Sequence, residues 1–200
     1  MTLKNKEMTT TPINAAEDCD GGDLTDNALL LAIGHGDQLA FGLLMQRYLR
    51  KMTALAQRIT LNKADAEDVA QEGFLRVWTH AHQWDSNGNA KFSTWLHRIV
   101  TNLAIDRCRK VKMLPIESAG DPIDPLVNVA EDLEHNDTMR QVHGAMTELP
   151  PRQRAAIALC YFDELTGVEA ATVMGLSEGA VESLLVRARR SLRKQLKIEG

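Results

Sequence analysis

A helix–break–helix pattern, followed by a run of arginines, occupies residues 165–196 and does most to limit the folds open to this chain. Gly175 lies at the break, where a turn between two crossing helices needs a residue that tolerates a positive φ. Ser177 and Glu178 then mark a helix start, because the hydroxyl caps free N–H groups and the carboxylate favours the helix dipole. The pattern predicts a helix-turn-helix.

The second helix of this pair separates its apolar and basic side chains. The apolar residues recur at three- and four-residue spacing and predict one buried stripe, formed by Val181, Leu185, Ala188, Leu192 and Leu196. The basic residues fall mostly off that stripe, at Arg187, Arg189, Arg190, Arg193 and Lys194. Taken alone, the segment is either a DNA-reading helix or a basic face exposed to solvent.

The composition favours helical packing, and the charged residues are unevenly distributed along the chain. The chain is 44% hydrophobic but only 4% aromatic, which favours helices packed through Leu, Ala, Val and Met. The net charge is −4, yet bases gather at residues 107–112 and 187–197, away from the acidic stretches before residue 38 and at 117–137. Two separate basic patches predict two contacts with one polyanion.

The cysteines do not indicate a metal or disulfide site. Cys19, Cys108 and Cys160 lie far apart and lack the spacing of zinc ligands. We therefore expect reduced thiols, no structural metal and no cofactor, with a redox or metal-sensing role for Cys19 or Cys108 as the alternative.

Other motifs are missing as well. No apolar run reaches the length of a membrane span, and the N-terminus lacks a signal pattern. The chain also contains no P-loop, HExxH or GxSxG motif. We expect a cytoplasmic, non-enzymatic protein without direct membrane insertion.

The apolar periodicity predicts an all-α fold of two small helical domains joined by a flexible acidic linker. Residues 1–23 carry few apolar groups and are expected to form a flexible tail, because they cannot offset the entropy of ordering. Residues 24–112 are assigned to the first domain, 113–136 to the proline-rich linker and 137–200 to the second domain.

Four helices are expected in the first domain. A short helix ends at Gly34, and Asp37 caps a long second helix. The third and fourth helices are predicted over residues 63–81 and 93–110, with a polar loop between them. In the second domain, Pro151 suits the first turn of a helix.

The third helix combines a packing stripe with a dense polar face. Val69, Phe74, Val77 and Trp78 can serve a core, whereas folding alone does not require the polar side chains around them, which are Asp65, Asp68, Gln71, Glu72 and Arg76. A solvated surface and a binding surface are both consistent with this pattern.

Three blocks follow one another along the chain: the polar helix at 65–78, the segment KFSTWLHRIVTN at 91–102, and Glu148-Leu149-Pro150 before the helix-turn-helix. Their order and spacing over residues 24–197 resemble the extracytoplasmic-function (ECF) group of bacterial RNA polymerase sigma factors. The resemblance implies a dissociable initiation subunit that directs core polymerase to promoters through −35 duplex and melted −10 DNA.

The same resemblance implies a role for the third helix. In the family this helix docks on the clamp of the polymerase β′ subunit, and the second domain meets the flap of the β subunit. The implied clamp-binding residues here are Asp65, Asp68, Gln71, Glu72, Phe74 and Arg76.

The loop at 84–92 and the fourth helix are implied to meet the −10 element. Asn102 matches the family's pocket position for a flipped base. The cations of this segment are the expected phosphate contacts, namely Lys91, Arg98, Arg107, Arg109 and Lys110. Trp84 and Trp95 are expected to be structural, since tryptophans at helical spacing among apolar residues usually belong to a core.

The helix-turn-helix at 167–186 is implied to read the −35 duplex in the major groove. Its candidate contacts are Ser177, Glu178, Glu182, Ser183, Val186, Arg187 and Arg190. The chain departs from the commoner family pattern at Glu182 and Leu184, where basic residues are usual, so the −35 sequence does not carry over.

The remaining expectations concern a regulatory partner, the acidic linker and an alternative function. The resemblance implies an anti-sigma factor, soluble or anchored in the membrane, that holds both domains. The acidic linker is either a polyanion mimic in a polymerase channel or a solvated spacer. The alternative function is a free-standing helix-turn-helix regulator whose first domain senses a ligand or dimerises.

Overall fold

The structure is a computed structural model that describes residues 24–85, 91–113 and 141–196. These residues form helices and turns and contain no strand, as the sequence predicted. The predicted tail at 1–23, almost all of the predicted linker, and residues 86–90, 137–140 and 197–200 lie outside the described residues.

Within residues 24–85 and 91–113, the first domain has four helices and one short 3₁₀ turn. The helices are α1 (Asp26–Gly34), α2 (Gln38–Thr60), α3 (Lys63–His80) and α4 (Phe92–Met113), and the turn Ala81–Gln83 follows α3. The second domain contains a helical segment α5 at 141–147, α6 (Pro151–Ile157), which continues into one π-helical turn (Ala158–Phe162), α7 (Gly167–Met174) and α8 (Glu178–Gln195).

The predicted helix starts are confirmed. One carboxylate oxygen of Asp37 accepts hydrogen bonds from the backbone N–H groups of Leu39 and Ala40, at 2.8 and 3.1 Å. Ser177 caps α8 through a 3.3 Å bond from the Ala180 N–H, and Gly175 ends α7 with a φ of 64°. Side-chain caps satisfy N–H groups that have no partner within the helix.

The first domain has its core between α2, α3 and α4. Its fully buried side chains include Leu44, Met52, Leu55, Ile59, Val77, Leu96 and Val100. Gly73 allows the close approach of α3 to α4, because a Cβ there would lie only 3.1 Å from Cγ2 of Val100. This close packing fixes the relative position of the two helices that carry the predicted polymerase and −10 residues.

The second domain builds the helix-turn-helix on α6. Val173 of α7 and Val181 of α8 are fully buried, as is Ala188, which packs in a cluster with Met146, Leu149 and Ile157. Pro151 occupies the first position of α6, where its missing N–H has no cost. The predicted apolar stripe of α8 therefore packs inward.

The two domains also pack against each other, which the sequence did not predict. One buried cluster continues from α4 into α6 and α7 and contains small residues of the second domain, namely Ala155, Ala158 and Ala170. The short side chains let the helix backbones approach closely. The structure therefore shows a closed arrangement of the two domains.

Candidate nucleic-acid interface

The polar face of α3 is exposed. Gln71, Glu72 and Arg76 are all accessible, and the side chain of Asp68 is 62% exposed. Nε of Arg76 lies 2.9 Å from Oε1 of Glu72 in an i,i+4 pair, a weak interaction at this exposure. These side chains are presented to a partner on one rigid helix.

Phe74 does not belong to that exposed face. It is only 2% exposed, and its ring packs edge-on against Phe41 with centroids 6.4 Å apart. The prediction that Phe74 contacts polymerase is wrong, because α3 turns this residue toward α2. Leu75 is the apolar side chain that reaches the surface, at 55% exposure. Leu75 is three residues from Glu72 and therefore lies on the same helix face, a spacing from which its exposure could have been predicted.

An ion pair joins the predicted polymerase face to the predicted −10 helix. Nη2 of Arg107 on α4 lies 2.6 Å from Oδ1 of Asp65 and 3.4 Å from Oδ2 of Asp68. Two carboxylates of the same chain therefore compensate this guanidinium. The predicted phosphate contact of Arg107 does not fit this pairing. Arg109 pairs locally with Asp106 at 3.2 Å.

The rest of the predicted −10 surface lies on the outer side of α4. Arg98 and Asn102 are both exposed and four residues apart, so they occupy one helix face a turn apart. Lys91 and Lys110, near the two ends of α4, are exposed as well. The helix thus places an amide side chain beside cations that nucleic acid can reach.

Trp84 and Trp95 are half-buried and only partly fit the expected core role. Their ring centroids lie 5.4 Å apart, and the Trp84 indole N–H donates to Oδ1 of Asn27 at 3.2 Å. Both rings also line an open groove of about 690 Å³ between α3 and α4, with Glu72, Leu75, Arg76, Thr79, His80, Gln83 and Ile99.

The predicted −35 residues lie along the outer face of α8. Glu182, Arg187 and Arg190 are exposed, and Val186 is 50% exposed. Two hydroxyls are engaged within the helix: Ser177 forms the cap, and Oγ of Ser183 donates to the Gly179 carbonyl at 2.9 Å. The remaining charged side chains are free of such internal bonds to the backbone and face solvent.

Glu178 differs from the other predicted −35 residues. Its carboxylate lies against Gly167, where an added Cβ would be 3.2 Å from Oε1. It remains exposed but lies over the first residue of α7.

Known protein families match both helical domains of this chain. Residues 44–113 match the family Sigma-70 region 2, and residues 139–192 match Sigma-70, region 4. The chain is 37% identical over 180 residues to the ECF RNA polymerase sigma factor SigW of Bacillus subtilis, covering 81% of this chain and 91% of that protein. The chain belongs to the ECF family of RNA polymerase sigma factors. It is an alternative sigma factor that directs RNA polymerase to promoters.

Further relatives fit the same family. This sigma factor is 33% identical over 172 residues to SigM of Mycobacterium tuberculosis, covering 86% of the chain and 85% of SigM. Family membership decides against the free-standing regulator. None of the described helices is long and apolar enough to cross a membrane.

Two solved structures are similar across both domains. CnrH in complex with the cytosolic domain of CnrY has a TM-score of 0.64 at 26% identity, covering 88% of this sigma factor and 99% of CnrH. The sigma factor RpoE of Bartonella quintana, in complex with the anti-sigma factor NepR, has a TM-score of 0.62 at 24% identity. It covers 80% of this chain and 98% of RpoE, and at that identity it supports the fold alone.

A group of polar side chains that the sequence did not reveal lies between the domains of this sigma factor. The Asp163 side chain, 2% exposed, places its carboxylate 3.1 Å from Nε2 of His97 and 3.9 Å from Nη1 of Arg58. Further along α4, Nη2 of Arg154 lies 3.5 Å from Sγ of Cys108. The only local signal was His97 itself, a polar residue between Leu96 and Val100 on the buried stripe of α4.

Burial shifts the pKa values of both Arg154 and Cys108. Burial raises the pKa of the Cys108 thiol above its ordinary value, and the nearby Arg154 guanidinium partly opposes that shift. Burial also lowers the pKa of Arg154. Cys108 is therefore held as a thiol, which is a weak nucleophile.

Proposed function

We propose that this ECF sigma factor binds core polymerase through α3 and reads a promoter with two helices, α4 at the −10 element and α8 at the −35 element. The observation that carries the proposal is the exposure of three separate polar faces, one on each of these helices. Residues 24–112 would serve polymerase and −10 DNA, and residues 137–200 would serve −35 DNA and the β flap.

The α3 surface suits a partner that binds and leaves. Asp68, Gln71, Glu72 and Arg76 form a charged rim, and Leu75 supplies an exposed apolar contact in place of the buried Phe74. Charged groups favour a fast, specific encounter and keep the free surface from aggregating. The proposed partner is the clamp of the β′ subunit.

The α4 surface suits unpaired DNA. Asn102 can donate to and accept from the edge of an unpaired base, and Arg98 lies one turn away to contact a phosphate. Lys91, Lys110 and the locally paired Arg109 add positive charge along the strand. In this assignment Arg107 positions Asp65 and Asp68 instead of binding DNA.

The α8 surface suits duplex DNA. Arg187 and Arg190 supply phosphate or guanine contacts, while Val186 offers an apolar contact to a thymine methyl group. Glu182 replaces the basic residue that is usual in the family, and its carboxylate can accept a bond from a cytosine amino group. We assign Ser177 to the helix cap and Ser183 to the rim of this surface.

Regulation by an anti-sigma factor is part of the proposal. CnrH, which is 26% identical to this chain, was solved in complex with the cytosolic domain of CnrY. We propose a comparable partner for this sigma factor, a cytoplasmic location and a role without catalytic chemistry of its own.

A run-off transcription assay with purified core polymerase tests the proposal. With a genomic promoter library, we expect specific transcripts only when core and this protein are both present. Replacing Gln71→Ala and Glu72→Ala together should weaken core binding about tenfold or more, since interface hot spots cost over 1 kcal/mol each when truncated. Gln57→Ala, which removes an exposed amide from α2, is the control and should leave binding unchanged.

A single result would overturn the proposal: no transcript from any promoter in the library despite a folded protein. If the α3 double variant bound core normally while the wild type transcribed, the clamp assignment alone would be wrong.

A further inference from the structure

The contact between the two domains runs along one stripe of α4. His97 and Thr101 are almost completely buried, and Cys108 is half-buried two turns further on. These residues are four and seven positions apart, so they share one helix face. The second domain meets the stripe at both ends, through Asp163 and Arg154.

Asp163 is the central charged group of this interface. Its carboxylate is almost fully removed from solvent and lies near two basic side chains of the first domain, His97 and Arg58. The other ring nitrogen of His97, Nδ1, lies 2.6 Å from the Ser93 carbonyl oxygen, which can only accept a hydrogen bond. Both ring nitrogens of His97 therefore lie within hydrogen-bond distance of an oxygen atom, one on each domain.

Arg58 contributes a second contact at the same place. Its guanidinium carbon lies 4.4 Å from the ring centroid of Phe162, the residue next to Asp163. A cation over an aromatic face is attracted by the ring quadrupole. Phe162 and Asp163 of the second domain are thus both contacted by Arg58, and Asp163 is also contacted by His97.

The same interface contains two polar groups that oppose closure. Nε of Arg154 and Oγ1 of Thr101 are buried and have no hydrogen-bond partner among residues 24–85, 91–113 and 141–196. A buried donor without a partner costs its full desolvation penalty, which is recovered when water reaches it. Closure is therefore favoured at Asp163 and disfavoured at Arg154 and Thr101.

The closed arrangement also conflicts with promoter binding, a step that rests on the function proposed above. Elements centred at −10 and −35 lie about 25 base pairs apart, or about 85 Å of duplex at 3.4 Å per base pair. Helices in contact, such as α4 and α7, have axes only about 8–10 Å apart. The closed chain cannot reach both elements at once.

We propose that Asp163 is the carboxylate of an interdomain latch, which closes the free sigma factor onto itself through His97 and Arg58. The unpaired Nε of Arg154 and Oγ1 of Thr101 keep the closed form easy to open. Binding of polymerase breaks the latch and separates the two DNA-reading helices.

The latch can be tested by measuring the distance between the domains in the full chain without polymerase or DNA. Spin labels attached through p-acetylphenylalanine at positions 51 and 195 lie on exposed sites of α2 and α8 and leave the three cysteines in place. Pulsed electron resonance then gives the distance distribution. For the wild-type chain we expect a dominant, narrow population at short distance and a minor open population.

Two substitutions should shift that population in opposite directions. Asp163→Asn keeps the shape but removes the charge, and we expect the open population to rise about tenfold or more, since breaking one side of a buried ion pair is strongly destabilising. Thr101→Val removes an unpaired hydroxyl at nearly constant shape and should reduce the open population. Glu164→Gln removes the same charge one residue away, at an exposed site, and should leave the distribution unchanged.

Two outcomes would overturn the latch: a broad distribution in the wild type, or equal distributions for Asp163→Asn and Glu164→Gln. Circular dichroism of each variant ensures that a change reflects opening and not unfolding. The measurement uses neither polymerase nor promoter, so a failure of the proposed function would appear in the transcription assay and leave this result standing.

Discussion

At the scale of single residues, pairing within the chain decides which charged side chains remain available to a partner. Arg107 and Arg98 are both exposed cations of α4, but only Arg107 is held by two carboxylates, Asp65 and Asp68. A cation that is already compensated releases little additional counterion when DNA arrives. We therefore expect the two arginines to differ in their contribution to promoter binding.

Salt dependence separates the two arginines. Arg98→Gln should reduce the magnitude of the slope of log K against log salt by about 0.7, the value for one contact with a single strand. Arg107→Gln should leave the slope unchanged. The measurement is binding of polymerase containing each variant to a single-stranded −10 oligonucleotide at several salt concentrations. Equal loss of slope in both variants would contradict the internal pairing of Arg107.

The helix starts could be predicted from the sequence because their signals are local. Asp37 and Ser177 cap the predicted helices, since a cap depends on residues two or three positions away. Phe74 shows the difference between two kinds of signal. The residue pattern placed it in the core, as observed, whereas the resemblance carried the motif over as a block and added Phe74 to the clamp contacts, although helix geometry points neighbouring residues in different directions. Its neighbour Leu75 is exposed for the same reason.

At the scale of elements, the start of α7 is held by a capping box. Thr166 Oγ1 accepts a bond from the Glu169 N–H at 3.3 Å, and Oε2 of Glu169 accepts one from the Thr166 N–H at 3.0 Å. These reciprocal bonds satisfy two N–H groups at once. The helix-turn-helix therefore begins at a point fixed by one carboxylate.

This capping box gives α7 a pH dependence. The hydrogen bond from the Thr166 N–H, then that from its hydroxyl, lowers the pKa of Glu169 below its ordinary value of 4.5. A lowered pKa stabilises the fold above the unfolded value and loses that contribution as the pH falls through the folded value. Glu169→Gln keeps the hydrogen bond but cannot titrate.

Thermal unfolding of the wild type and of Glu169→Gln at pH 7 and pH 3.5 measures this effect. We expect the melting temperature of the variant to fall less between the two pH values than that of the wild type. Equal falls in both proteins would show that the capping carboxylate does not contribute.

At the scale of the whole molecule, the sequence predicted the helices and the two domains but not their contact. His97 and Asp163 are 66 positions apart, and no periodicity relates residues across a linker. The small residues of α6 and α7 that permit the contact have the same spacing that any buried helix shows. The contact between the domains could therefore not be predicted from the apolar periodicity of either domain.

As a whole, the molecule is proposed to read promoters only together with polymerase. Its two DNA-reading helices belong to different domains. The proposed ligand of α4 is single-stranded −10 DNA, which exists only after the duplex has melted. The claim therefore requires two events on one DNA molecule: protection of the −35 duplex and melting near −10.

Footprinting with permanganate and a nuclease on one transcribed promoter measures both events directly. With core polymerase and this sigma factor together, we predict nuclease protection centred near −35 and permanganate-reactive thymines near −10, and neither signal with sigma factor or core alone. Stable protection by the sigma factor alone, without thymine reactivity when core is added, would contradict the account.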